Sequence, residues 1–96
     1  MLTTPQQDLA YQYLLQMLCQ TDDIERLTIL LNALLTDKEQ NEIANRIQIF
    51  ALLQQGLPQR EIAESLGVGI ATVSRGAKAY NQHNIHQLLP DLKDQF

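Results

Sequence analysis

Tryptophan is missing from this chain, and three tyrosines and two phenylalanines are its only aromatic residues. A hydrophobic fraction of 45% must therefore be packed with aliphatic side chains. A single cysteine, Cys19, excludes an intramolecular disulfide and suits a reducing cytosol. It stands in an apolar helical pattern, where an inert core thiol is expected. No run of about 18 apolar residues is present that could span a bilayer, and no signal peptide is visible, so a cytoplasmic protein with no membrane partner is expected. Strand patterning is missing too. β-branched residues are scattered without period-2 alternation, while glutamine, leucine, alanine and glutamate dominate. No nucleophile–base pair, glycine-rich phosphate loop or metal-ligand cluster stands out, which argues against an enzyme and against a metal site.

Cations are also scarce. Seven lysines and arginines face eleven acids, a net charge of −4 with a pI near 4.9. That balance argues against indiscriminate nucleic-acid binding. The distribution says more than the total. Residues 1–45 carry a balance of −5, residues 46–80 a balance of +2 from Arg46, Arg60, Arg75 and Lys78 against Glu61 and Glu64, and the tail −1. The one basic segment is also the one with the most specific sequence pattern.

What is present reads as one all-α domain of about six helices over the 96 residues, near the small end of what buries a core alone. The first helix is expected over about Gln7–Cys19. Thr21, Asp22 and Asp23 form an N-cap cluster for a second, about Asp23–Leu34, whose apolar residues cover most of its circumference. Thr36-Asp37-Lys38-Glu39 reads as a capping box opening the longest helix, about Asp37–Gln55. Ile43, Ile47, Phe50 and Leu53 make its main stripe, with Ile49 and Leu52 widening it. Gly56 is placed as its C′ residue, and Pro58 opens the next helix. Helices over about Pro58–Leu66 and Ile70–Tyr80 follow, then a polar break at 81–84 and a last helix over about Ile85–Lys93. Residues 1–55 read as a dimerisation core, 58–80 as a helix-turn-helix and 81–96 as a C-terminal helix. Aliphatic surface in excess of what one small chain can bury predicts a homodimer.

The helices on either side of Gly67 carry the functional signal. Ile62, Leu66, Val68 and Val73 are spaced to pack two short helices against a third, with Ala63 small at the crossing and Gly67 supplying a left-handed turn. The spacing matches a helix-turn-helix, whose second helix lies in the DNA major groove. An ordinary helical hairpin would share the apolar spacing. It would not explain an outer face of Ile70, Ala71, Thr72 and Ser74, small or hydroxylated, with Arg60 beside it and no acid among them. Gly76 is the odd residue, a glycine in mid-helix that costs about 1 kcal/mol relative to alanine. Arg46, four residues after Glu42, reads from the sequence alone as a solvated helix charge. His83 and His86 read as solvated histidines at a helix start, and Asp37, Glu39 and Glu42 as capping and helix-face acids.

The stretch from Leu34 to Ala77, with "LLTDKEQNEIANRIQI" and especially "PQREIAESLGVGIATVSRGAK", resembles the tryptophan-dependent trp operon repressor family. The resemblance covers roughly half of the chain, and "IAT" followed by "RG" inside a helix-turn-helix is far more specific than the general motif. It implies an interlocked all-α homodimer that binds double-stranded operator DNA when L-tryptophan is bound as corepressor. It further implies that Arg46 and Arg75 hold the indole between guanidinium planes, that Gly76 leaves room for the ring, and that backbone carbonyls of a second copy at Ala33 to Leu35 take the ammonium, with the Thr36 hydroxyl near the carboxylate. Gln59, Arg60, Gly69, Ile70, Ala71, Thr72, Ser74 and Lys78 would face DNA. Three departures from the family pattern stand out. Ala79 replaces a serine that reaches the ammonium, Lys78 replaces a neutral polar residue, and the loop between Gly56 and Gln59 is one residue short. A ligand-independent DNA-binding regulator and a dimeric interaction module without DNA binding are the alternatives.

Overall fold

The computed structural model describes residues 3–96 and is all-helical, with six α-helices and no strand among the described residues. The chain falls into two compact units, residues 1–37 and 38–96.

The first unit holds α1 (Pro5–Gln20) and α2 (Ile24–Leu34). α1 begins earlier than its apolar pattern indicates, because Thr4 caps it. The Thr4 hydroxyl accepts from the Gln7 amide at 3.0 Å, the Gln7 side chain reaches back to the Thr4 amide at 3.2 Å, and Pro5 occupies the first helical position. Asp23 caps α2 by accepting from the Glu25 amide at 2.9 Å. Neither helix has a buried residue. Cys19 is exposed, so the expected core thiol is corrected: in the single chain α1 has no core to enter.

The second unit is built on α3 (Asp37–Gln54), α4 (Gln59–Leu66), α5 (Ile70–Gln82) and the short α6 (Ile85–Leu88). α3 stops as the glycine predicted. Gly56 takes φ +89°, its amide donates to the Leu53 carbonyl, and the Leu57 amide donates back to the Leu52 carbonyl, the paired bonds of a Schellman end. Pro58 stands just outside α4 as its N-cap. Gly67 ends α4 in the left-handed conformation (φ 67°, ψ 33°), and α5 starts three residues later from Gly69. Ile49 of α3, Ile62 of α4 and Val73 of α5 are each fully buried, and Leu52, Leu53, Leu57, Ala63, Leu66 and Val68 close around them. One side chain from each helix thus fixes a three-helix junction. Burying each is worth about 1.5–3 kcal/mol. Phe50 and Tyr80 extend the junction, their rings 5.9 Å apart and tilted by 55°.

Two expectations are corrected here. The main stripe of α3 faces this core only in part: Leu53 packs against it, while the N-terminal half of the stripe does not. Ile43 and Ile47 are 47% and 38% exposed, whereas Ile49 and Ala51 are its buried residues. The last helix does not run to Lys93, and 81–96 is not one helix. Asn81 and Gln82 continue α5, Asn84 turns left-handed at φ 51°, and α6 ends at Leu88. Pro90 has no amide to donate and pushes Leu89 out of the helical region (φ −128°, ψ 69°), so only a 3-10 turn at Leu92–Asp94 follows. That tail is tied to the end of α3. The Gln54 amide nitrogen donates to the Leu89 carbonyl (2.8 Å), its oxygen accepts from the Lys93 amide (2.7 Å), and Gln55 donates to the Lys93 carbonyl (3.1 Å).

Candidate functional site

α5 divides into three faces by its own periodicity. Val73, Gly76 and Ala77 are buried and face the core. Ala71, Ser74 and Lys78 are exposed along one stripe, with Gly69 and Ile70 exposed at the helix start. Thr72 and Ala79 are half-buried and, with the exposed Arg75 between them, make the third face.

The third face borders a cavity of about 280 Å³ lined by Glu42, Asn45, Arg46 and Ile49 of α3 and by Thr72 and Arg75 of α5. The α3 residues follow i, i+3, i+4, i+7, so one continuous stripe of the helix forms one wall. Two arginines far apart in sequence therefore share one concavity. Arg75 directs Nη2 to the Thr72 hydroxyl at 3.4 Å, a long contact. The volume is near the lower end of small-molecule sites, about 300–1,000 Å³. Guanidinium groups suit this role chemically, since they stack on aromatic faces and bind carboxylates in a planar fork.

Gly76 is placed one step behind this cavity. A Cβ built on it would stand 2.8 Å from Ile49 Cγ2, and 3.6 Å from Ile49 Cβ and Cδ1. Gly76 itself is not among the cavity-lining residues, but Ile49 is. The glycine lets α5 lie close on Ile49, and Ile49 meets the cavity.

The exposed stripe carries a second arrangement. The Ser74 hydroxyl donates to the Gln59 side-chain oxygen at 2.8 Å, tying the start of α4 to the middle of α5. Arg60 is exposed beside Gln59, and the 13 residues of α5 contain no acid. Neither end of this pair is closed by a side-chain cap: Pro58 and Gly69 make no capping bond. The first-turn amides at such ends favour anions.

Of the residues singled out in the sequence, the structure brings together Arg46, Arg75 and Thr72 at the cavity and joins Gln59 to Ser74, with Arg60 exposed next to Gln59 on α4. Thr72 was expected with the DNA-facing set and stands on the cavity face. Ala79 is half-buried and outside the lining, and Ala33, Leu35 and Thr36 belong to the first unit. Sequence reasoning missed Glu42, Asn45 and Ile49 as cavity residues. The heptad-like spacing around Arg46 was the available signal.

Residues 9–90 match the family described as Trp repressor protein. A Trp operon repressor homolog of Xylella fastidiosa is 36% identical over 81 residues, covering 83% of this chain and 88% of that one. A homolog of the same name from Vibrio cholerae is 40% identical over 68 residues, covering 70% of this chain and 66% of that one. The corresponding protein of Aliivibrio fischeri is 44% identical over 55 residues, 56% of this chain and 51% of that one. No solved structure gives a significant match. No helix among the described residues is long and apolar enough to cross a membrane. The chain belongs to the Trp repressor family, a family of DNA-binding transcription regulators rather than enzymes.

Proposed function

We propose that this protein is a transcriptional repressor that binds operator DNA as a homodimer when L-tryptophan occupies the cavity between α3 and α5. The observation that carries the proposal is the cavity itself, which holds Arg46 of α3 and Arg75 of α5 together, with Arg75 on the face of α5 next to the exposed stripe. The indole would lie between the two guanidinium groups, and the ligand carboxylate would pair with Arg75. Carbonyls at Ala33 and Leu35 of a second copy would take the ammonium, with Thr36 near the carboxylate, as in the family pattern. Gly76 shapes the site through Ile49.

In this reading α4 and α5 form a helix-turn-helix, with Gly67 as its turn residue and α5 as the helix in the major groove. Ile70, Ala71 and Ser74 are the side chains nearest base edges. Gln59, Arg60 and Lys78 contact phosphates or guanine, Gly69 lets the backbone approach a phosphate, and Thr72 stands between the two sites. The lack of acid on α5 supports this assignment in a chain whose net charge is −4.

The homodimer reading rests on uncovered aliphatic surface. Leu9, Tyr13, Ile24 and Ile29 are each more than 60% exposed in the single chain, and Ile43 and Ile47 are uncovered on α3. A second copy interlocked through α1, α2 and the outer face of α3 would bury them.

Tryptophan acts here by population shift. It favours the α4–α5 orientation that fits successive major grooves only by its differential affinity for that state, and operator DNA must tighten tryptophan binding by the same factor. The test is operator affinity at zero and saturating tryptophan, by electrophoretic shift. A large gain with ligand is expected. Equal affinities would leave a ligand-independent regulator, a reading that Ala79 favours by removing an ammonium-directed hydroxyl. No operator binding in either condition would leave a dimeric interaction module.

A further inference from the structure

The cavity holds one charged group for which the indole and carboxylate of the ligand provide no use. Glu42 is the single acid in a lining that also contains Arg46 and Arg75. Stacking a flat ring and pairing a carboxylate call for cations and apolar wall, and an acid beside them weakens both. Glu42 precedes Arg46 by four residues on α3, so the two are separated by about one helical turn, roughly 5.4 Å along the axis. Opposite charges at that spacing match a ligand that carries an ammonium and a carboxylate on the same carbon.

The opposite wall cannot supply the anion. α5 contributes Thr72 and Arg75 to the lining and has no aspartate or glutamate over Ile70–Gln82. Ala79, also on α5, has no polar side-chain atom. Carbonyls at Ala33 and Leu35 would be neutral acceptors, whereas a carboxylate acts on the ammonium with full charge. We propose that Glu42 is the charged side chain that attracts the ammonium, beside the neutral carbonyls of the second copy, and makes this cavity selective for a zwitterionic indole amino acid over the same indole acid without its amino group. The inference rests on the tryptophan-site reading above and names the residue that sets its ligand class. Asn45, between Glu42 and Arg46 on the same wall, can donate to the Glu42 carboxylate or accept from the ammonium. Glu42 is exposed in the single chain, so solvent screens its charge and the effect is moderate.

Calorimetry on the full chain at one pH and ionic strength tests this, with L-tryptophan and indole-3-propionate titrated into the unchanged protein and into Glu42→Gln. The readout is the ratio of the two affinities. Glu42→Gln is expected to lower the tryptophan-to-propionate ratio by about two- to fivefold, because it removes an attraction that only the amino acid feels. An unchanged ratio overturns the proposal, including the case in which both ligands bind more tightly once Glu42 no longer damps the field of the arginines. Failure of the unchanged protein to bind tryptophan overturns the tryptophan-site reading and this inference with it. That failure is seen before any variant is made, so the two are told apart.

Discussion

Gly76 and Ile49 fix how closely α5 lies on α3. A Cβ on Gly76 would come within 2.8 Å of the Ile49 Cγ2 methyl, a branch that stiff χ1 geometry does not let swing away freely. Ile49 is fully buried and also lines the cavity with Arg46 and Arg75, so a displaced Ile49 alters core and cavity together.

Gly76→Ala is therefore expected to destabilise the fold, although alanine is the better helix former. Overpacking costs about 1–3 kcal/mol, against about 1 kcal/mol gained in helix propensity. A net loss of about 1 kcal/mol should appear in urea denaturation. Adding Ile49→Leu, which removes the β-branch methyl, should recover part of it, and strictly additive effects in the double variant would refute the contact as the cause.

Arg60→Ala should weaken operator binding by about 1–3 kcal/mol if the guanidinium is bidentate to guanine. Lys78→Ala should instead weaken binding to all sequences alike and reduce the slope of log affinity against log salt by about 1. Fluorescence anisotropy over a salt series separates the two, and an unaffected slope would take Lys78 out of the phosphate contacts.

Ala79→Ser should strengthen tryptophan binding. A hydrogen bond to a charged group contributes about 1.5–3 kcal/mol, so a gain of about tenfold or more is expected by calorimetry. No gain would mean that the ammonium lies out of reach of position 79.

Sedimentation equilibrium at micromolar concentration should give a dimer, about twice the 10.9 kDa of the chain. A folded, stable monomer would contradict the use of Ile24, Ile29, Ile43 and Ile47 as contact surface.

Gln54→Ala should release the C-terminal tail, since Gln54 holds both the Leu89 carbonyl and the Lys93 amide. These bonds are exposed, so the loss in global stability should be about 1 kcal/mol or less. Hydrogen exchange at the Lys93 amide should rise, and an unaltered rate would show that the tail is held by other contacts.

Much of the helical order was legible along the chain because its signals are local. Gly56 and Gly67 mark left-handed ends by lacking a Cβ, Asp23 announces α2 through its own side chain, and the apolar spacing on either side of Gly67 places Ile62 and Val73 inside. The Thr4–Gln7 box is an equally local signal, and Pro90 has a stronger effect on the last helix than the apolar pattern around Leu88 and Leu89.

Position in space is a different quantity, and it belongs to contacts between residues far apart in sequence. α3 is apolar on more than one side, so its sequence cannot say which side meets α4 and α5. Packing chose Ile49 and left Ile43 and Ile47 outside. The close approach of Ile49 to Gly76 supplies a packing reason for a mid-helix glycine that local propensity disfavours. The company of Glu42 and Asn45 with Arg46, Thr72 and Arg75 likewise exists only once two helices face each other across a cavity. The sequence by itself determined the elements, their caps and the motif of α4 and α5, because each depends on a few neighbouring residues. Only the tertiary structure decided which faces pack and which charges share a site, because side chains dozens of residues apart become neighbours only by folding.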